Sequence, residues 1–372
     1  MELFSKTLES KLLALEKSKG RAVVAFLVSF TLLAIAAIYV RPALATVALG
    51  KWYSILSLDP FSETPNRVGY RILTPLISYL LGLRGDGIII TNLLGALAFL
   101  MVSYWYFRQN LINLSDAVYG TAVLAFSLVT LTTIYYGGYC DSLTYLLILL
   151  MWIKRSNMPL LALLFFLGLL NRESIIFLVP WFAFLYWTES PKKIKCVLEM
   201  LFWYGLAFGL YYIFQLWISS FREVEYTTDY YLGSLLLEPL AIFRKSYGNQ
   251  GLGLFSVFKL FWIIVLMAVW SFWKQRQLRA IFSLAILAVC VWAQLFIAWD
   301  SSRLMTMAFP IMIIALVQVF KENHFAFRSW AMLLLIFNFL VPQLYTAAHI
   351  TERMKSSIAN LFELLFLGKS GW

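Results

Sequence analysis

Histidine, cysteine and charged side chains are all scarce in this chain. Its 372 residues include two histidines and three cysteines, and charged residues make up 13%. Cys140, Cys196 and Cys290 have neither the spacing of a metal site nor the even number of a disulfide framework. Because His324 and His349 lie in polar stretches, a histidine-ligated metal or a Ser/His/Asp hydrolase is not expected. A Walker loop, a glycine-rich dinucleotide fingerprint and paired cysteines are also missing, which excludes the common nucleotide and redox motifs.

Apolar residues dominate the composition instead. They make up 62% of the chain, and aromatic residues make up 17%. A water-soluble domain of this length could not bury so much apolar surface. The apolar runs are continuous and show no period of two, which argues against a transmembrane barrel. The sequence therefore predicts an all-α protein, a polytopic bundle of transmembrane helices.

Eleven apolar segments predict about eleven membrane segments. Residues 1–21 are expected to be an amphipathic cytoplasmic leader, 22–348 a single transmembrane domain, and 349–372 an outer C-terminal tail. A cleaved signal peptide is the alternative for the first segment, since Ala43-Leu44-Ala45 resembles a cleavage site, but the leader and the apolar run are both longer than usual. The predicted segments are 22–40, 88–107, 117–134, 139–153, 159–170, 174–187, 197–221, 254–273, 280–298, 304–320 and 330–348.

The net charge of +11 is a signal of orientation. Basic residues concentrate in the leader and in short loops between alternate segments, such as 192–195. Cytoplasmic loops of membrane proteins carry such an excess, so the amino terminus is predicted to be cytoplasmic in a multi-pass protein of the plasma or inner membrane. The charge thus gives no reason to expect a nucleic-acid partner. The longest loops, 41–87 and 222–252, fall on the non-cytoplasmic face, where we expect the function to lie.

One apolar run, from residue 159 to 187, is interrupted by Asn171, Arg172 and Glu173. As a single helix it would be roughly 43 Å long, too long for a hydrocarbon core of about 30 Å. We expect a break at the polar triplet, with Arg172 and Glu173 held within the membrane or at its edge. Ionisable residues at that depth usually serve a function. The alternative is an ordinary short loop in which the two charges cap the flanking helices.

The two long outer loops have different characters. Residues 72–83 are apolar but too short to cross, and they predict a helix in the outer interface, introduced by Tyr70 and Arg71. The second loop is rich in tyrosine and acidic residues, which suit contact with sugars but equally suit an interfacial aromatic belt. Its notable residues are Glu223, Glu225, Tyr226, Asp229, Tyr230, Tyr231 and the run from Tyr247 to Gly251.

Four polar clusters fall at the outer ends of the predicted helices, and together they predict one polar cavity. Arginines would bind phosphate there, and carboxylates would hold a divalent cation or accept a hydroxyl proton. Taken singly, such a cluster at a helix end is more often a helix cap or a local ion pair. The clusters are Asp59, Glu63, Arg67 and Arg71; residues 135–142 with Asp141; residues 171–174; and Trp299, Asp300 and Arg303.

The arrangement resembles the C-type (GT-C) polytopic glycosyltransferases. The resemblance is carried by an entry span, a long outer loop with an early acid, the run from Asn66 to Leu76, Asp141-Ser142-Leu143 and the turn from Asn171 to Ser174. It covers roughly residues 22 to 190. Asp59 is the earliest acid in the loop, farther from the first span than the family's acid usually lies.

The resemblance implies transfer of a sugar from a polyprenyl-phosphate carrier to a glycan, lipid or protein acceptor on the non-cytoplasmic face. It makes Asp59 the first candidate for the catalytic base, and Asp141 is the second. The expected substrate-binding residues are Arg67, Tyr70, Arg71, Arg172, Glu173, Asp300 and Arg303. A transporter or flippase of lipid-linked glycan is the alternative, because broken helices with charges at mid-depth suit that class too. A polysaccharide polymerase or ligase would share the donor and differ in the acceptor.

Overall fold

The chain folds into a bundle of helices that carries one small β-hairpin. The computed structural model describes residues 2–111, 113–191, 193–224, 249–296, 298, 300–322, 326–347 and 350–356. The helices of the first part are α1 (Glu2–Lys19), α2 (Arg21–Tyr39), α3 (Leu49–Leu58), α4 (Leu73–Leu80), α5 (Ile88–Asn110), α6 (Leu114–Ala125), α7 (Leu128–Tyr135), α8 (Asp141–Ile153), α9 (Met158–Asn171), α10 (Val179–Glu189) and α11 (Lys193–Ser219). The second part contains α12 (Gln250–Phe258), α13 (Trp262–Lys274), α14 (Leu278–Ala293), α15 (Ser301–Met305), α16 (Phe309–Glu322), α17 (Ala326–Leu340), β1 (Leu344–Ala347) and β2 (Ile350–Arg353).

Six helical segments of the described ranges are long and apolar enough to cross a membrane. They are Arg21–Tyr39, Gly85–Asn110, Lys193–Ser219, Gln250–Lys274, Leu278–Phe296 and Ser301–Glu322. Helices α6 and α7, bent by 50° at their junction, make a seventh candidate when taken as one span. The helical class is confirmed, and the six apolar helices support a membrane protein, whereas the count of about eleven segments is not confirmed. One reason is that α8 and α9 have only 13 and 14 residues, so each extends only about 20 Å.

The expected break in the run from 159 to 187 is confirmed. Helix α9 ends at Asn171, a 3₁₀ segment follows at Glu173–Leu178, and α10 begins after it. A helix, α4, is present at the position expected for the interfacial helix and is shorter than the predicted range 72–83; its location in the outer interface stays a prediction. The predicted segment 330–348 was wrong at its end. Helix α17 stops at Leu340, since Pro342 cannot continue a helix, and 344–347 form a strand instead.

Basic residues collect at one end of the bundle, which we call the basic end. Helices α5, α8 and α13 reach the basic end at Arg108, Lys154 and Lys274. The leader helix α1 is fastened to this end because Glu16 pairs with Arg21 at 2.6 Å and with Arg108 at 3.3 Å. At the opposite end α8 begins, α9 ends and α15 begins, which brings the polar clusters of three different parts of the chain to one level.

The segment Ser301–Glu322 lies at the centre of the bundle, with 78% of its apolar window buried, compared with 17% for the peripheral Lys193–Ser219. Aromatic rings fix α8 against it, since Phe99, Tyr145 and Phe309 contact one another edge to face at centroid distances of 5.1 to 6.3 Å. The Tyr145 hydroxyl also hydrogen-bonds the Thr306 hydroxyl. This packing lies one helical turn below Asp141 and holds it next to Arg303.

Candidate functional site

The centre of the site is Asp141, the first residue of α8. Its carboxylate accepts a hydrogen bond from Nη1 of Arg172 on Oδ1. Arg303 donates two more, from Nε to Oδ2 at 2.6 Å and from Nη2 to Oδ1 at 2.9 Å. The three side chains are only 2%, 8% and 4% exposed. Within this buried group two arginines face one carboxylate, and a second carboxylate, that of Asp300, also binds Arg303.

Two glycines bring the chain to this position. Gly138 has a φ of +89°, which favours glycine, and it directly precedes the turn into α8. Gly50 of α3 packs on the same backbone so closely that a Cβ there would lie 2.2 Å from the Gly137 carbonyl oxygen. Helix α3 therefore lies directly against the chain that leads into Asp141.

Arg172 and Glu173, two residues of the polar triplet, direct their side chains to opposite sides of the chain. Arg172 has an extended backbone, with φ −161° and ψ 116°, so successive side chains leave the chain on opposite sides. Arg172 turns to Asp141, whereas Glu173 turns to Arg71, whose Nε lies 2.7 Å from Oε2. The two neighbouring charges of the triplet therefore do not pair with each other, and each binds a partner from another part of the chain.

Asn171 uses its amide to join three helices. Its Nδ2 donates to the Cys140 carbonyl and to the Thr144 hydroxyl, both at 2.8 Å, and its Oδ1 accepts from the Thr74 hydroxyl at 2.6 Å. Helices α4, α8 and α9 are thus bound together at the level of Asp141. The network fixes Arg172, the next residue, in its extended conformation.

Arg71 has a second partner, the hydroxyl of Tyr53 on α3, which accepts from Nη1 at 3.0 Å. Burial raises the pKa of the Tyr53 phenol to about 12, so it stays neutral and can accept. The side chains of Arg71 and Glu173 are 17% and 29% exposed. This pair therefore lies at a solvent-accessible edge of the site, which we call an open margin.

A second open margin is formed by Asp300 and the hairpin. Asp300 is 23% exposed, and its Oδ2 accepts from Nη1 of Arg303 at 3.0 Å and from the Tyr345 hydroxyl at 2.7 Å. In the hairpin Tyr345 faces Glu352 across the two strands. Its ring packs on Tyr136 at 4.3 Å, and the Tyr136 hydroxyl donates to Glu352 at 3.4 Å. The hairpin is thereby attached to the arginine network.

The network balances three arginines against three carboxylates. Asp141, Arg172 and Arg303 lie at the buried centre, while Arg71, Glu173 and Asp300 are open to solvent at the margins. Such a site can bind an anion at its open margins, because guanidinium groups recognise phosphate bidentately. The exposed carboxylates can accept hydrogen bonds from hydroxyl groups.

Asp59 lies apart from this network. It follows α3, is exposed, and accepts a hydrogen bond on Oδ1 from the Phe61 N–H at 3.1 Å. The hydrogen bonds and ion pairs of the described residues do not join it to the arginines of the site. Glu63 is also exposed, Arg67 lies over the Trp52 ring at 6.0 Å, and Tyr70 packs in a small apolar cluster with Ile218 and Val224.

Arg222 holds the loop of Asp59 in place. It lies three residues after the end of α11, is 2% exposed, and donates to three backbone carbonyls. These are Ser62 at 2.6 Å, Pro60 at 3.1 Å and Gly69 at 3.3 Å. Burial lowers the pKa of Arg222, and the charge of the Asp59 carboxylate opposes that shift.

Sequence reasoning missed Tyr53, Tyr345 and Arg222. Nothing in the pattern around Tyr53 or Tyr345 distinguishes them from other tyrosines of an aromatic-rich chain. Arg222 could have been selected from the sequence, because an arginine at the outer end of an apolar helix departs from the positive-inside trend. Trp299 and residues 225–248, most of the loop predicted to contact sugars, lie outside the described residues.

The described side chains include no group of three His, Cys, Asp or Glu placed to hold a metal ion. Comparisons with protein-family models, curated proteins and solved structures find no match to this chain.

Proposed function

We propose that the chain is an integral-membrane glycosyltransferase that transfers a sugar from a polyprenyl-phosphate-linked donor to an acceptor on the non-cytoplasmic face. The observation that carries the proposal is the network at one end of the bundle in which Arg172 and Arg303 bind Asp141, while Arg71 binds Glu173, the residue next to Arg172. Basic loops lie at the other end, and that end is cytoplasmic by the positive-inside rule.

The arginines supply what the departing phosphate requires. When an acceptor hydroxyl attacks the anomeric carbon, the bond from that carbon to the phosphate oxygen breaks and the phosphate leaves with the electron pair. Stabilising developing negative charge is usually the largest catalytic contribution. Arg71, at the open margin, would meet the phosphate first, and Arg172 and Arg303 would supply positive potential from the centre.

The two candidate bases receive different roles. Both oxygens of Asp141 already accept hydrogen bonds from arginines, so Asp141 holds the arginines in position. Asp59 is exposed, and its carboxylate is available to take the proton of the acceptor hydroxyl. Attack assisted by a single carboxylate in this way would invert the anomeric configuration.

Helix α4 supports a donor with a polyprenyl chain. It buries Thr74, Pro75 and Ser78, whereas Leu80 and the following Leu81 are 72% and 58% exposed. A helix with its polar side inward and its leucines outward is suited to contact with lipid chains. Because Arg71 directly precedes α4, a carrier lipid lying along this helix would bring its phosphate to the site.

One observation favours the alternative of a lipid-linked glycan transporter. The span Gln250–Lys274 is broken at Lys259, which has a φ of +48° and is 1% exposed. Interrupted helices with buried charges are common in transporters. The experiment below separates the two functions.

The test is sugar transfer by the purified full chain from a synthetic polyprenyl-phosphate sugar, with donor binding measured in parallel. Asp59→Asn should lower turnover by about two to four orders of magnitude with donor binding little changed. Glu63→Gln, an exposed acid of the same loop, is the matched control and should keep wild-type turnover. A wild type that transfers no sugar from such donors but moves lipid-linked glycan between leaflets would establish the transporter instead.

A further inference from the structure

A cavity lies at the basic end of the bundle, opposite the Asp141 network. It has a volume of about 260 Å³ and is bounded by α8, α10, α14 and α16. Arg155 and Arg279 line it together with Phe184, Leu185 and Ile314. The volume is just below the range of roughly 300 to 1,000 Å³ that is typical of small-molecule sites.

The mouth of this cavity carries an excess of positive charge. Arg155 is bound to Glu189, with Nε 2.7 Å from Oε1, and Nη1 donates to the Trp152 carbonyl at 2.9 Å. Arg279 is exposed, and no carboxylate in the described part of the chain lies within ion-pair distance of it. One carboxylate therefore faces two arginines, and a singly charged anion would complete the balance.

The interior of the cavity is apolar. Ser283 is buried, and its hydroxyl is already engaged, since it accepts from Nε1 of Trp181 at 3.0 Å. Ile314 lies eight residues before the end of α16 at Glu322, so the cavity reaches roughly 12 Å into the bundle. A ligand that fits it has an anionic head and an apolar body that enters the membrane.

We propose that this cavity binds one anionic phospholipid of the surrounding bilayer. The phosphate lies between Arg155 and Arg279, and an acyl chain follows Phe184, Leu185 and Ile314. Basic pockets between transmembrane helices on the cytoplasmic side bind anionic head groups by this combination of charge and depth. The site is separate from the Asp141 network and does not depend on the proposed transferase activity.

The experiment uses the delipidated full chain in neutral detergent, with bound lipid counted by native mass spectrometry. The probes are dioleoylphosphatidylglycerol, dioleoylphosphatidylcholine and glycerol 3-phosphate. Arg279→Gln removes the arginine that lacks a carboxylate partner, and Ala280→Trp fills the cavity without changing its charge. Arg276→Gln is the matched control, since Arg276 is an exposed arginine of the same turn that does not line the cavity.

The wild type and Arg276→Gln should each retain one phosphatidylglycerol, and retention should fall about fivefold in Arg279→Gln. Ala280→Trp should lose the lipid as well, with an unfolding midpoint in lipid-free detergent that shows it is folded. Equal retention of the two lipids, equal loss in Arg276→Gln, or competition by glycerol 3-phosphate alone at the same concentration would each overturn the proposal.

Discussion

Arg303 and Asp141 lie 162 residues apart in the chain, yet two hydrogen bonds of 2.6 and 2.9 Å join their side chains. A bidentate guanidinium–carboxylate pair fixes both distance and orientation. Because Arg172 binds the same carboxylate, Asp141 determines the position of two arginines at once.

Asp141→Asn should therefore destabilise the protein. The variant leaves two buried guanidinium groups facing a neutral amide, and removal of one partner from a buried ion pair costs about 3 to 5 kcal/mol. Unfolding in detergent, followed by circular dichroism, measures the loss. Glu63→Gln, an exposed acid, should unfold with the wild type. An Asp141→Asn protein as stable as the wild type would show that the network is not a source of stability.

Arg71 and Glu173 should act on transfer as a unit. Glu173→Gln should abolish activity with the protein still folded, because Arg71 loses the partner that holds it at the margin of the site. Adding Arg71→Gln to that variant should cost little more, since residues in contact are not additive. Turnover of the two single variants and the double variant measures the coupling.

The pair of Arg155 and Glu189, with the same 2.7 Å distance at the basic end, provides the control. Glu189→Gln should leave transfer unchanged. Wild-type turnover by Glu173→Gln would instead show that the triplet is only a turn between two helices and takes no part in transfer.

Arg222→Gln should lower turnover strongly and the stability of the folded protein only slightly. The variant releases the carbonyls of Pro60, Ser62 and Gly69, so the loop that carries Asp59 becomes mobile. Limited proteolysis in this loop should accelerate. Arg222→Lys keeps the charge but lacks the planar guanidinium group. It should therefore restore only part of the wild-type turnover and of the resistance to proteolysis.

Arg84→Gln is the matched control, because Arg84 is an exposed arginine of the same outer region that stacks on the Tyr79 ring. Its proteolysis and turnover should match the wild type. An equal loss of turnover in Arg84→Gln and Arg222→Gln would show that the contacts of Arg222 have no special role.

The orientation can be tested with single cysteines. The three native cysteines are buried, so their labelling should be slow. Ile194→Cys, at an 80% exposed position, should react only with reagents that reach the cytoplasm, whereas Glu63→Cys should react from outside. The reason is the excess of basic residues around residue 194 and at that whole end of the bundle. Labelling of residue 194 from outside would reverse the topology.

The sequence predicted the helices better than it predicted their breaks. Continuous apolar runs locate helices because hydrophobicity is a local property of the chain, and the polar triplet at 171–173 correctly located one break. The break at Lys259 has no such signal. Its Nζ donates to the carbonyls of Asn338 and Val341, at 2.7 and 3.0 Å, so that conformation depends on α17, a helix distant in sequence.

The members of the site were predictable, but their pairing was not. Arg71, Asp141, Arg172, Glu173, Asp300 and Arg303 were all candidates from their positions at helix ends. Which acid binds which arginine depends on how α8, α9 and α15 pack, and that is a three-dimensional property. The position of Asp59 outside the network follows from the length of α3, which separates it from Tyr53 by roughly 9 Å.

The pairing also bears on how the chain is made. Asp141 and Arg303 are separated by 162 residues, so at about 5 to 20 residues per second the ribosome delivers the second roughly 8 to 32 s after the first. In that interval Arg172 is available to pair with Asp141 and Arg71 to pair with Glu173, and Arg303 later emerges three residues after Asp300. Each part of the network can therefore enter the membrane as a neutral pair, and the buried centre forms only when the last of them joins.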